Sequence, residues 1–291
     1  MNRKLGFWLP AVLMICAPMA ALAQEQVQGE GDPYTLQTMY EFNGTLRGMW
    51  MDLRVEQVEV LTLGQGRASS RLHRQPFRWV ASDPRRKADG DRLTYLVDTA
   101  DIASSRVLPA SAETAIDRAM KTWSRSSCMQ KVGVVKRAAD GSDPDIFDAA
   151  YGHGGFGDFR DADIVVAGWL PPGFFESVIS PDSGKTVLAM SVTFIFVGAD
   201  GQPTDIDGDG YLDTAANEIY FNSGFSWKAP GTAGVMDIES VALHEIGHSL
   251  GIGHIGPPPT AVMNPVYGGA RTELLHLDHA ALCTVWAGWP R

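Results

Sequence analysis

In the run His244-Glu245-Ile246-Gly247-His248-Ser249-Leu250-Gly251-Ile252-Gly253-His254, three of the chain's seven histidines fall within eleven residues. On a helix, His244 and His248 stand one turn apart on one face, so both imidazoles can reach a single ion. Gly251 can adopt the positive φ that ends a helix and turns the chain back, which carries His254 to the same ion. Three imidazoles with a fourth position open to water is the catalytic zinc arrangement. Glu245, next to the first ligand, points towards that open position, where it can take a proton from a zinc-bound water and return it to a leaving amine. One zinc per chain is expected.

A second constellation is Asp205-Ile206-Asp207-Gly208-Asp209-Gly210-Tyr211-Leu212-Asp213. Alternate carboxylates around two glycines suit a hard, oxygen-seeking cation, and calcium in a structural role is the expected ion at Asp205, Asp207, Asp209 and Asp213. The loop begins like an EF-hand, but its twelfth position is Ala216, so the usual bidentate glutamate is missing unless Glu218 substitutes. An acidic turn between strands is the other reading.

The zinc-site run, with Val262-Met263-Asn264-Pro265-Val266-Tyr267 after it, resembles the metzincin zinc endopeptidases in their matrixin form. That resemblance implies a metzincin, zincin-like catalytic domain of α/β (α+β) class: a twisted mixed sheet, packed helices and a small C-terminal subdomain. It also implies that Met263 underlies the ligands and that Pro265, Val266 and Tyr267 line a substrate pocket. An extended protein or peptide substrate would pair along an edge strand at 187–191, with Leu188 and Ala189 beside the pocket. Where animal matrixins carry Leu-Ala-His-Ala, this chain has Leu188-Ala189-Met190-Ser191, so no second zinc is expected. There is no Pro-Arg-Cys-Gly segment, which excludes latency through a cysteine.

These residues need elements to hold them. Strands are expected at 93–97, 162–167, 187–197 and 218–221, with one strand or hairpin around 51–60. A helix capped by Ser111 would carry Ala112, Ile116, Ala119, Met120 and Trp123 inward; the zinc helix would begin at an Asp237 cap, and a last helix would span 277–286. Three segments follow: 1–23, 24–90 and a catalytic domain at 91–291. From Arg67 to Arg92, eight basic residues face three aspartates. This stretch reads either as a pro-segment cut at Arg85-Arg86-Lys87 or as a solvated linker.

Arg3 and Lys4, an apolar stretch at 5–15 and Ala21-Leu22-Ala23 form a cleavable export signal, so a periplasmic or extracellular protein with no membrane anchor after cleavage is expected. Losing that signal takes the formal charge from −10 to −12, which disfavours nucleic acids and anionic membranes as partners. A monomer is expected. Cys128 and Cys283 would remain, either bridged or as two separate buried thiols. Two other functions fit the same residues: a calcium-dependent binding protein on a protease fold, and a zinc hydrolase of non-peptide substrates.

Overall fold

The computed structural model of the chain describes residues 26–27, 35–38, 40–46, 49–63, 75–86, 90–100, 102, 107–141, 143–153, 161–228, 236–256 and 260–290. The expected export signal, and Arg67, Arg71, Arg74 and Lys87 of the basic run, lie outside the described residues.

In chain order the strands and helices are β1 (Gln26–Val27), β2 (Thr35–Thr38), β3 (Tyr40–Leu46), β4 (Met49–Thr62), β5 (Phe77–Arg78), β6 (Leu93–Val97), α1 (Pro109–Ser124), β7 (Val134–Lys136), α2 (Phe147–Ala150), β8 (Ile164–Leu170), α3 (Pro172–Val178), α4 (Ser183–Thr186), β9 (Val187–Phe196), β10 (Leu212–Asn222), β11 (Trp227–Lys228), β12 (Met236–Asp237), α5 (Ile238–Ser249) and α6 (His276–Trp286). The main sheet runs β1-β2-β4-β9-β10-β8-β6-β7, with β3 added to β4 and β5 to β10. It is mixed: β8 is parallel to both β6 and β10, whereas β9 is antiparallel to β10 and to β4.

Alternation along the strands divides the interior into two layers. Ile164, Val166, Ile219 and Phe221 face one layer with α1, α5 and α6, whereas Val165, Ala167, Ala216 and Tyr220 face the other with α3. Because both faces are covered, β8 reads as an unbroken apolar run and β9 is buried along its whole length, its two polar residues Ser191 and Thr193 included, as central strands are. Each fully buried Leu, Ile, Val or Phe contributes about 1.5–3 kcal/mol of transfer free energy.

Two expectations about the ends of elements need correction. Helix α1 begins at Pro109, with Leu108 at the N-cap and no side-chain cap, so Ser111 lies inside the helix. Proline's fixed φ and missing N–H suit the first helical turn and replace a capping side chain. The 187–191 strand is not an edge, because β4 pairs along it from Leu53↔Phe196 to Thr62↔Val187.

The segment around 75–86 belongs to the same packed body as the residues after it. Arg86 is buried, with Nε and Nη2 donating to Asp163 Oδ1 and Oδ2 at 2.8 and 3.0 Å and Nη1 donating to Val80 O at 2.7 Å. Arg85 pairs with Asp83 at 2.6 Å and Asp213 at 2.7 Å. The solvated-linker reading does not describe these two arginines, whose guanidinium groups hold the chain against β8 and β10. Cys128 and Cys283 are disulfide-bonded, with Cα atoms 5.3 Å apart, fastening the turn after α1 to α6. Closing so long a loop stabilises by about 3–5 kcal/mol in the chain-entropy account.

Candidate active site

Helix α5 carries the first two histidines and is fixed at both ends. Asp237 caps it, its Oδ1 accepting Ser240 N at 2.8 Å, and Glu239 in the first turn suits the positive end of the helix dipole. At the other end Gly251 adopts φ +80° and its amide donates to His248 O at 2.8 Å. Three indoles donate to carbonyls of this element: Trp123 to Leu243 O at 2.7 Å, Trp79 to Ser249 O at 2.8 Å and Trp286 to Leu250 O at 2.9 Å. The last two occupy carbonyls that a helix end leaves without partners. All twelve residues of α5 are buried, so the helix has no freedom to turn its histidines away.

The three imidazoles converge. His244 and His248 have ring centroids 4.7 Å apart, His248 and His254 4.7 Å, and His244 and His254 5.4 Å. Each can offer one nitrogen such that all three nitrogens lie within 4.8 Å of one another. His244 Nδ1 donates to Val262 O at 2.7 Å and His248 Nδ1 to Ile252 O at 2.8 Å, which leaves both Nε2 lone pairs facing inward, 3.0 Å apart. Backbone carbonyls that fix the tautomer in this way are the usual outer support of a metal-bound histidine. Burial, and then the neighbouring His254 and His244, push the His248 pKa well below its ordinary value. It is therefore held neutral, as a metal ligand must be. The donor set fits a zinc ion.

Glu245 is fully buried and neither carboxylate oxygen makes a well-formed hydrogen bond. Burial first, and the charge of Glu59 second, raise its pKa well above the carboxylate range, with the Leu61 amide acting the other way. A divalent cation beside it would favour the ionised form.

Met263 is buried beneath α5, where a methyl group on Gly247 would run into Met263 Sδ and come within 2.9 Å of Trp123 Cζ2. The methionine turn is held by Asp278, which accepts the amides of Val262 and Met263 at 3.0 and 3.1 Å and that of Leu275 at 2.9 Å. Its partners are therefore two segments of the same subdomain. Tyr267 OH accepts Asp237 N at 3.1 Å, tying the wall after the turn to the start of α5.

A small pocket beside His244 is lined by Leu61, Val262, Asn264 and Tyr267. Pro265 and Tyr267 contribute backbone groups: Thr62 N donates to Pro265 O at 3.0 Å and Tyr267 N to Thr62 O at 2.9 Å, with Val266 in a parallel bridge to Thr62. Leu188 and Ala189 are wholly buried in the core, so β9 meets this region through its backbone, with Ala189 opposite Leu61.

Sequence reasoning missed Glu59. It is buried, with Oε2 3.2 Å from His254 Nδ1 and 4.0 Å from His248 Nε2, while Oε1 accepts Gln75 Nε2 at 2.6 Å. A charged residue between Val58 and Val60 in an alternating strand was the only signal, and alternation by itself reads as a solvated face.

The acidic loop is elsewhere. Asp205, Asp207 and Asp213 can each bring one oxygen within 4.8 Å of the others, but Asp209 is not in that group and pairs with Arg78 at 3.2 Å. Glu218 is no substitute ligand: its carboxylate accepts Ile146 N at 2.7 Å, Phe147 N at 3.0 Å and the Tyr220 hydroxyl at 2.7 Å.

No curated protein matches the chain significantly. The family model described as Matrixin matches residues 86–286, a span that takes in the three histidines, the methionine turn and Asp278. The chain thus belongs to the matrixins, and is a zinc metalloendopeptidase.

Proposed function

We propose that the chain is exported and hydrolyses peptide bonds with His244, His248 and His254 as the zinc ligands and Glu245 as general base. The observation that carries this reading is the Glu245 carboxylate, fully buried without a well-formed hydrogen bond, one residue from the first of three convergent imidazoles. Zinc at such a site supplies Lewis acidity and lowers the pKa of a water to about 7. Glu245 accepts the proton of the attacking water and passes it to the departing amine, a role worth about 10²–10⁴ in rate. A substrate side chain with an apolar stem enters the small pocket beside His244 that Leu61, Val262 and Tyr267 line.

The second metal we propose is calcium at Asp205 and Asp207, in a stabilising role. Arg78 and Arg85 already answer Asp209 and Asp213, while burial and the three neighbouring aspartates raise the Asp207 pKa, a cost that a cation would relieve. Export rests on residues 1–23, and no helix of the described residues is long and apolar enough to cross a membrane. The acidic net charge supports a protein that acts on peptides and does not bind nucleic acid, and we take it to act as a monomer.

Chelation tests the metal. A strong zinc chelator should abolish cleavage of casein and of a fluorogenic peptide, and stoichiometric zinc should restore it; hydrolysis that persists through chelation would remove the metal from the mechanism.

A further inference from the structure

We propose that the pocket beside His244 selects an acidic side chain, glutamate or aspartate, in the substrate residue next to the cleaved bond, and that Arg271 recognises it. The inference rests on the peptidase reading above and names the chemistry of its substrate.

Arg271 lines this pocket together with Leu61, Ser240, His244, Val262 and Tyr267, and it is the one residue of the lining with a fixed charge. Its place there is set by the backbone around it. The Arg271 N–H donates to Ser240 Oγ at 2.6 Å, tying the residue to the first turn of α5, and Nη1 donates to Ala261 O at 3.1 Å, just before the methionine turn. Gly268 leaves room for the guanidinium: a Cβ at that position would collide with Nη2 and come within 3.1 Å of Cζ. The charge reaches the Tyr267 phenol, whose pKa burial raises and Arg271 lowers.

This guanidinium has no acid of its own. Arg78, Arg85, Arg86 and Arg118 each pair with a carboxylate at 2.6–3.2 Å. No ion pair joins Arg271 to any of the described residues, in a chain with 34 acidic and 24 basic residues. The carboxylates of the neighbouring helix turn are already used: Asp237 Oδ1 accepts Ser240 N and Oγ at 2.8 and 2.5 Å, and Glu239 accepts Arg118 Nε at 2.6 Å.

An arginine with one N–H on a backbone carbonyl keeps other donors of its planar fork, and a carboxylate matches that fork with two parallel hydrogen bonds. The methylenes of a glutamate suit the apolar walls of Leu61 and Val262, and its charge answers the guanidinium. A lysine or arginine side chain meets like charge in the same place and is turned away.

The test uses the full-length, zinc-loaded chain and its Arg271→Gln, Arg271→Lys and Arg271→Glu variants, with thermal unfolding to check that each folds. Cleavage of a peptide library by the wild type, read by mass spectrometry, should show Asp and Glu enriched at one residue next to the cut bond. On fluorogenic peptides that differ only at that residue, kcat/KM for Glu should exceed that for the isosteric Gln by about tenfold or more. That ratio should fall towards unity in Arg271→Gln, recover in part in Arg271→Lys, and give way to a preference for Lys in Arg271→Glu. A wild type that prefers Leu to Glu, or a Glu-to-Gln ratio shared by all four chains, would overturn the proposal and leave Arg271 as a clamp on Ala261. Calorimetric titration with peptide hydroxamates bearing Glu or Gln at that residue separates this inference from the peptidase reading. If no chain cleaves any peptide, tighter binding of the Glu compound to wild type that is lost in Arg271→Gln would uphold the acidic preference while removing the peptidase reading; equal binding of the two compounds would remove both.

Discussion

Asp278 Oδ1 accepts the backbone amide of Met263 at 3.1 Å, so the first turn of α6 holds the floor of the histidine cluster. The same carboxylate, fully buried, takes the amides of Val262 and Leu275 at 3.0 and 2.9 Å. Val262 in turn orients His244 through its carbonyl. The chain of contacts from Asp278 to the first ligand is thus one residue long.

Asp278→Ala leaves three amides without their acceptor. Hydrogen bonds to charged groups contribute roughly 1.5–3 kcal/mol each, so a loss of at least about 3 kcal/mol is expected. Urea unfolding reads the stability, and zinc titration should show weaker binding as the Val262 carbonyl loses its position. A variant within 1 kcal/mol of wild type would mean that the turn holds itself.

Gly247→Ala sets two effects against each other. Alanine gains about 1 kcal/mol of helix propensity. The new methyl group meets Met263 Sδ and Trp123, both fully buried, and overpacking of this kind costs ~1–3 kcal/mol. The clash should win, lowering the melting temperature and distorting the site. A rise in melting temperature would show that Met263 can move aside freely.

Arg86→Met removes one half of a buried pair. Asp163 would keep the Thr94 amide and hydroxyl at 2.7 and 2.9 Å but lose the guanidinium. Uncompensated buried charge costs about 3–5 kcal/mol. Chemical denaturation should show that loss; cleavage of the purified chain after Arg86 by trypsin without prior unfolding would contradict the burial on which the estimate rests.

The chemistry was legible where it was local. The 244–254 run, the Gly251 bend and the Asp237 cap each depend on residues within one or two turns, and spacing along the sequence carries that information. The Leu93–Val97 strand was legible because both of its faces are apolar. What escaped depends on distant contacts. Glu59 meets His254 only because β4 pairs with β9, and no spacing near residue 59 encodes that pairing. The basic run misled because charge density says nothing of partners: Arg86 finds Asp163, and Arg85 finds Asp213, far along the chain. Ser111 misled for the opposite reason, since two capping devices stood two residues apart and proline began the helix first.

The central claim is that Glu245 moves the proton while three histidines hold the metal. Glu245→Ala, compared with wild type under the conditions that give wild type its full activity, separates these roles. Peptide hydrolysis should fall by about 10²–10⁴-fold while bound zinc stays near one ion per chain, as read by atomic absorption; undiminished hydrolysis in the zinc-loaded variant would contradict the account.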